Sequence, residues 1–170
     1  MSDPDSSSPS EPEFERTLAV AQGYFALEMW QESWDELEEL GPEFRHLAPV
    51  IILRVLILNN LGKWESAAIV GPGALRYFPG FGALYLATAQ ALRECQGAAA
   101  AKAVIMAGGR LLRNEAAFHY NLACYDSALG KLDDAKEGLT RTFELEKGLR
   151  QKALDEPDLA PVWESLGESE

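Results

Sequence analysis

Apolar and small residues recur along this chain at a fixed interval. Trp30, Trp64, Ala98 and Leu132 lie 34 residues apart, and three positions after each comes a small residue: Ser33, Ala67, Ala101 and Ala135. Stretches of helical length run between these marks, punctuated by Gly, Pro and Asn, and predict paired helices. The first pair is expected over about 14–27 and 31–40, stopped by Gly41-Pro42. The second opens near Ala48, with Pro49 suited to a first helical turn, runs to Asn60 and turns at Leu61-Gly62-Lys63. The third covers about 81–94, turns at Gln96-Gly97 and continues through AAAAKAVIMA to a stop at Gly108-Gly109. The fourth starts after Asn114, a candidate N-cap, turns at Gly130-Lys131 and carries DDAKEGLTRTFELE in its second helix.

The recurrence has a physical basis. A small residue three positions into each second helix lets the two helices of a unit approach closely. The large residue at the turn, Trp30 or Trp64, then covers the apolar seam. No such pair can bury its face alone, so its stability comes from stacking on neighbours. A period of 34 residues in helix–turn–helix units resembles the tetratricopeptide repeat. The resemblance implies an all-α fold: a right-handed α-solenoid of four tetratricopeptide-like helix pairs, at about 14–45, 48–79, 81–111 and 115–147.

The units are unequal. FHYNLACYDSALGKLDDAKEGLTRTFELE in the fourth fits the repeat pattern best, with Asn121-Leu122-Ala123 and Tyr125 in its first helix and Ala135 and Phe143 in its second. The third replaces most signature aromatics by alanine. In the second, Val70-Gly71-Pro72-Gly73 falls mid-way along the expected second helix. An interior proline costs about 3 kcal/mol, so a break or kink is expected near Gly71. Residues 148–170 are read as a C-terminal cap and acidic tail. Leu154, Leu159, Val162, Trp163 and Leu166 are expected to cover the exposed face of the fourth unit, with Glu156-Pro157-Asp158 between two short helical pieces. The fourth unit with LDEPDLAPVWESL resembles the "end-of-group" tetratricopeptide proteins of bacteria.

Charge narrows the partners. Twenty-seven acidic residues against fifteen basic ones give a formal net charge of -12. Nucleic acid needs a cationic face to release counterions from its phosphates, and is excluded on this ground. An anionic membrane surface is disfavoured for the same reason. Basic or apolar protein segments fit better. The first 13 residues, MSDPDSSSPSEPE, read as a disordered acidic tail without the apolar stretch of a secretory signal. The most apolar run, LAPVIILRVLIL, is shorter than the roughly 20 residues of a membrane span. A cytoplasmic location is expected, with Cys95 and Cys124 as two buried thiols in a reducing compartment.

The sequence offers no catalytic constellation and no metal or cofactor site. His46 and His119 are read as packing residues. His119 and Cys124, five apart, fall on different faces of a helix. Ala107-Gly108-Gly109-Arg110 has no preceding strand and reads as a helix ending rather than a phosphate cradle. The acidic runs at 35–40 and 132–137 are expected to be solvated faces.

The tetratricopeptide resemblance implies a non-enzymatic module that binds a peptide or helix of a partner in a concave groove lined by the first helices. The groove-facing positions are Leu18, Gln22 and Phe25, then Ile52, Leu56 and Asn59, then Leu86, Gln90 and Arg93, and finally Tyr120, Cys124 and Ser127. This set is apolar with a few amides and one cation, and suits an amphipathic helix or an extended peptide with apolar anchors. The cations with which some tetratricopeptide co-chaperones grip a C-terminal carboxylate are missing: Leu18, Gln22, Leu53, Ala83 and Ala87 stand there. The alternative is a small acidic export chaperone, similar to the class II chaperones of type III secretion in size, charge and repeat type.

Overall fold

The computed structural model describes residues 11–167, and among these there are helices and turns but no strand. Helix α1 (Glu11–Ala26) pairs with α2 (Trp30–Glu38), α3 (Ala48–Asn60) with α4 (Trp64–Tyr77), and α5 (Gly82–Gln96) with α6 (Ala98–Ala107). A single turn, α7 (Gly109–Leu112), leads to the last pair, α8 (Ala116–Ala128) and α9 (Leu132–Leu145). Then come α10 (Leu149–Leu154), a 3-10 turn (Pro157–Leu159) and α11 (Ala160–Gly167). Each first helix packs on its own partner and on the second helix of the preceding unit, which makes an all-α solenoid of helix pairs.

The small residues do what their spacing requires. Ser33, Ala67, Ala101 and Ala135 are all at 0% exposure. Ser33 adds a hydrogen bond, its Oγ donating to the Ala21 carbonyl of α1 at 2.8 Å. Trp30 closes its seam by packing edge-on against Phe25, with ring centroids 4.8 Å apart. Trp64 stays half-buried, outside the fully buried core. Gly62 and Gly130, two residues before their second helices, have φ of 68° and 75°, a left-handed conformation that costs glycine little. Glu28 occupies the same place in the first unit with φ of 60°.

Four expectations are corrected. Helix α1 begins at Glu11, so the last three residues of the supposed tail are helical; residues 1–10 lie outside the described residues. Asn114 sits in the turn before α8, and Glu115 holds the N-cap position without a side-chain cap. The chain does not stop at Gly108-Gly109 but adds α7, which tucks Leu112 into the core. Finally, α4 runs unbroken through Gly71-Pro72-Gly73. Pro72 removes one N–H, yet the buried face of Ala67, Gly71 and Ala74 packs against α5 and outweighs that loss.

Gly71 is essential to this contact. A Cβ there would lie 2.4 Å from Thr88 Oγ1 and 2.8 Å from its Cγ2. Thr88 is fully buried and β-branched, so it cannot swing away. Gly71→Ala is therefore expected to lower unfolding free energy in urea by about 1–3 kcal/mol. Thr88→Ala in the same chain should restore part of the loss; a neutral Gly71→Ala would mean that α4 and α5 are not in close contact.

Candidate functional site

The first helices α1, α3 and α5 succeed one another along one face, but the residues expected to form a groove there divide into two sets. Leu18 and Phe25 pack against the core of Ala21, Leu37 and Val50, with Gln22 exposed between them. Ile52 and Leu56 are half-buried against the core shared by α3, α4 and α5, and Leu86 against that of the last two pairs. Gln90 is exposed. These aliphatic side chains are thus partly exposed on successive first helices, packed against three successive stretches of core.

The other set is withdrawn from solvent. Asn59 is 1% exposed; its Nδ2 donates to the Ala87 carbonyl at 2.9 Å and ties α3 to α5. Tyr120, Cys124 and Ser127 are buried in α8. Arg93 is engaged by the chain itself, its Nη2 donating to Asp158 Oδ1 and Oδ2 at 2.7 and 2.8 Å and its Nε to Oδ2 at 3.2 Å. This fork-on-carboxylate geometry is among the stronger ionic contacts a protein makes.

The stacking explains the division. Helix α5 packs along α3 but makes little direct contact with α8. The wedge between α5 and α8 contains a cavity of about 270 Å³, lined by Gln90, Arg93, Tyr120, Asn121, Cys124 and Tyr125. Lys152, Glu156 and Asp158 of the C-terminal segment line its other side. The Tyr120 hydroxyl donates to Glu156 Oε2 at 3.4 Å, and Lys152 Nζ lies 5.1 Å from the centre of the Tyr120 ring. Beneath these polar contacts the segment is anchored by Ala153, Leu159 and Val162, all at 0% exposure. Trp163 Nε1 donates to the Ala153 carbonyl at 3.0 Å and folds α11 back on α10.

Two residues expected to cover the fourth unit do not. Leu154 is 59% exposed and Leu166 is 49% exposed. Ala153, too small to stand out in the sequence, takes the buried place instead.

Burial pushes the Cys124 thiol up to about 12, and the Glu156 and Asp158 carboxylates add to the effect. Burial likewise raises Tyr120 and Tyr125. Cys95 is exposed rather than buried, which corrects the sequence expectation. Partial desolvation raises its pKa too, with help from Glu65 and Glu94. His119 places Nε2 2.9 Å from the Arg113 carbonyl, a geometry for donation, and sets its ring edge-on to Phe118. On a different face, α6, α8 and α9 enclose a cleft of about 430 Å³ that His119 lines together with the Lys102–Asp126 ion pair, Glu137 and Arg141. Among the described residues no group of three His, Cys, Asp or Glu side chains could hold a metal ion, and no helix is long and apolar enough to cross a membrane.

Solved structures share this architecture. TTC0263, a thermophilic TPR protein of Thermus thermophilus, superposes with a TM-score of 0.76 over 90% of this chain and 82% of that one, at 18% identity. The RS-1 ArsTM double mutant of MamA gives a TM-score of 0.69 over 83% and 79%, at 13% identity. No protein-family model and no curated protein matches the sequence. At these identities the likeness is one of fold: the chain is a tetratricopeptide-like solenoid.

Because thiolate is the reacting form, the two cysteines should separate cleanly. Near pH 8 a maleimide is expected to label Cys95 in the native protein and Cys124 only on unfolding. Asp158→Ala combined with Glu156→Gln removes both the cover and the neighbouring negative charge. The Cys124 pKa then falls toward the ordinary thiol range and its labelling speeds up. Equal labelling of both thiols in the native chain would contradict the burial described.

Proposed function

We propose that the chain is a non-enzymatic protein-interaction module that holds an apolar segment of a partner, helical or extended, across α1, α3 and α5. The observation that carries this reading is that Leu18, Ile52, Leu56 and Leu86 are half-buried on successive first helices, with Gln22 and Gln90 exposed. Partly exposed aliphatic side chains offer anchoring pockets, and side-chain amides can bond a partner's backbone. The site ends at α5, because beyond it Arg93 and Tyr120 are held by the chain's own C-terminal segment and Cys124 is buried. The net charge of -12 favours partners whose flanks are basic. An exposed free thiol, Cys95, fits a reducing, cytoplasmic setting.

Peptides without acidic residues, enriched on the intact chain from a random display library, test the reading. They are expected to carry apolar anchors and to bind about tenfold or more weakly to Leu56→Glu, with helical content by circular dichroism unchanged. Gln90→Trp, at an exposed position on α5 beside the cavity next to α8, should cause the same loss by adding bulk at the end of the site. Peptides that bind both variants as they bind the wild type would move the site off the first-helix face.

A further inference from the structure

The end of the stack carries a second surface of opposite character. Leu154 and Leu166 turn outward on either side of Trp163, and two clefts result. One, of about 220 Å³, lies between α9 and α11, with Leu139, Val162 and Leu166 in its wall and Lys136 at its edge. The other, of about 150 Å³, is bounded by Arg150 and Leu154. Phe143 and Trp163 line both, so the clefts form one apolar strip.

The charge on this strip runs against the chain. Acidic residues outnumber basic ones 27 to 15, yet among the described residues no carboxylate lines either cleft. The charged lining residues are Lys136 and Arg150. Arg150 lies 5.1 Å over the Phe143 ring and has no carboxylate partner among the described residues. The carboxylate paired with Lys136, on Asp133 at 3.9 Å, is fully exposed and free to yield. Trp and Arg are also the side chains that most often dominate binding energy.

We propose that this strip docks an acidic amphipathic helix of a partner protein. The helix lays its apolar face on Phe143, Trp163 and the two outward leucines, and its carboxylates meet Lys136 and Arg150. A second copy of the chain fits less well. In a two-fold contact each cation would face a cationic strip of the same composition. In a head-to-tail contact the acidic helix α2 could not present its apolar side, since Ser33 and Leu37 are fully buried in their own unit.

The test uses the intact chain and two fluorescein-labelled synthetic peptides of about 14 residues, long enough for roughly four helical turns. One has Leu and Trp on one face and Glu on the other; its counterpart has Lys for every Glu. By fluorescence anisotropy the Glu peptide should bind about tenfold or more tightly than the Lys peptide, and Lys136→Glu with Arg150→Glu should reverse the order. Leu154→Ser and Leu166→Ser, both at exposed positions, should weaken the Glu peptide without lowering the urea midpoint. Equal affinity for the two peptides, or binding lost with Gln90→Trp and kept in the leucine variants, would overturn the proposal. So would sedimentation velocity that shows a wild-type dimer and a Leu154→Ser monomer, which assigns the strip to self-association.

Discussion

The distance between the two helices of each pair is the constraint on which this molecule depends. It is set by four side chains that contribute little apolar area themselves: Ser33, Ala67, Ala101 and Ala135, all fully buried. Their smallness lets larger neighbours such as Leu37, Val55, Leu84, Ile105 and Leu139 leave water, and that burial supplies the stabilising free energy. In the first unit a hydroxymethyl group replaces the methyl, and its hydrogen bond to the Ala21 carbonyl offsets the cost of burying the hydroxyl. Gly71 extends the same logic between units, where α4 and α5 approach so closely that no Cβ fits beside Thr88.

Much of this was legible in the chain. The 34-residue spacing and its glycine turns locate the helix pairs because close packing and left-handed φ each tolerate few residue types. The unbroken α4 was not legible. Proline is read by its local cost, whereas packing across α4 and α5 is a long-range gain that appears only once the helices are placed. The groove suffered in the same way. Arg93 was visible as its one cation, but the carboxylate that claims it lies 65 residues further on. Nor could the sequence tell which leucines of the C-terminal segment face inward. Helices of six and eight residues have too few turns to fix an apolar face, and Leu154 and Leu166 turn out while Leu159 and Val162 turn in.

The C-terminal segment thus serves two faces at once. Its acidic side borders the cavity beside α8, where Asp158 neutralises Arg93 and Glu156 accepts from Tyr120. Its other side exposes an aromatic and aliphatic strip with a cationic edge. The division leaves, on a chain of strong negative charge, a strip whose charged lining residues, Lys136 and Arg150, are cationic.

The weak contact between α5 and α8 has a consequence for how the array can be read. An ideal repeat protein is generated by one screw operation, and a ligand running along it meets equivalent positions at equal intervals. Here the extra turn α7 and the wedge interrupt that operation between the third pair and the fourth. The 34-residue spacing continues across this point, from Ala98 to Leu132, but α5 and α8 pack less closely than α3 and α5. A ligand laid along the first helices would cross a wider step from α5 to α8 than from α3 to α5.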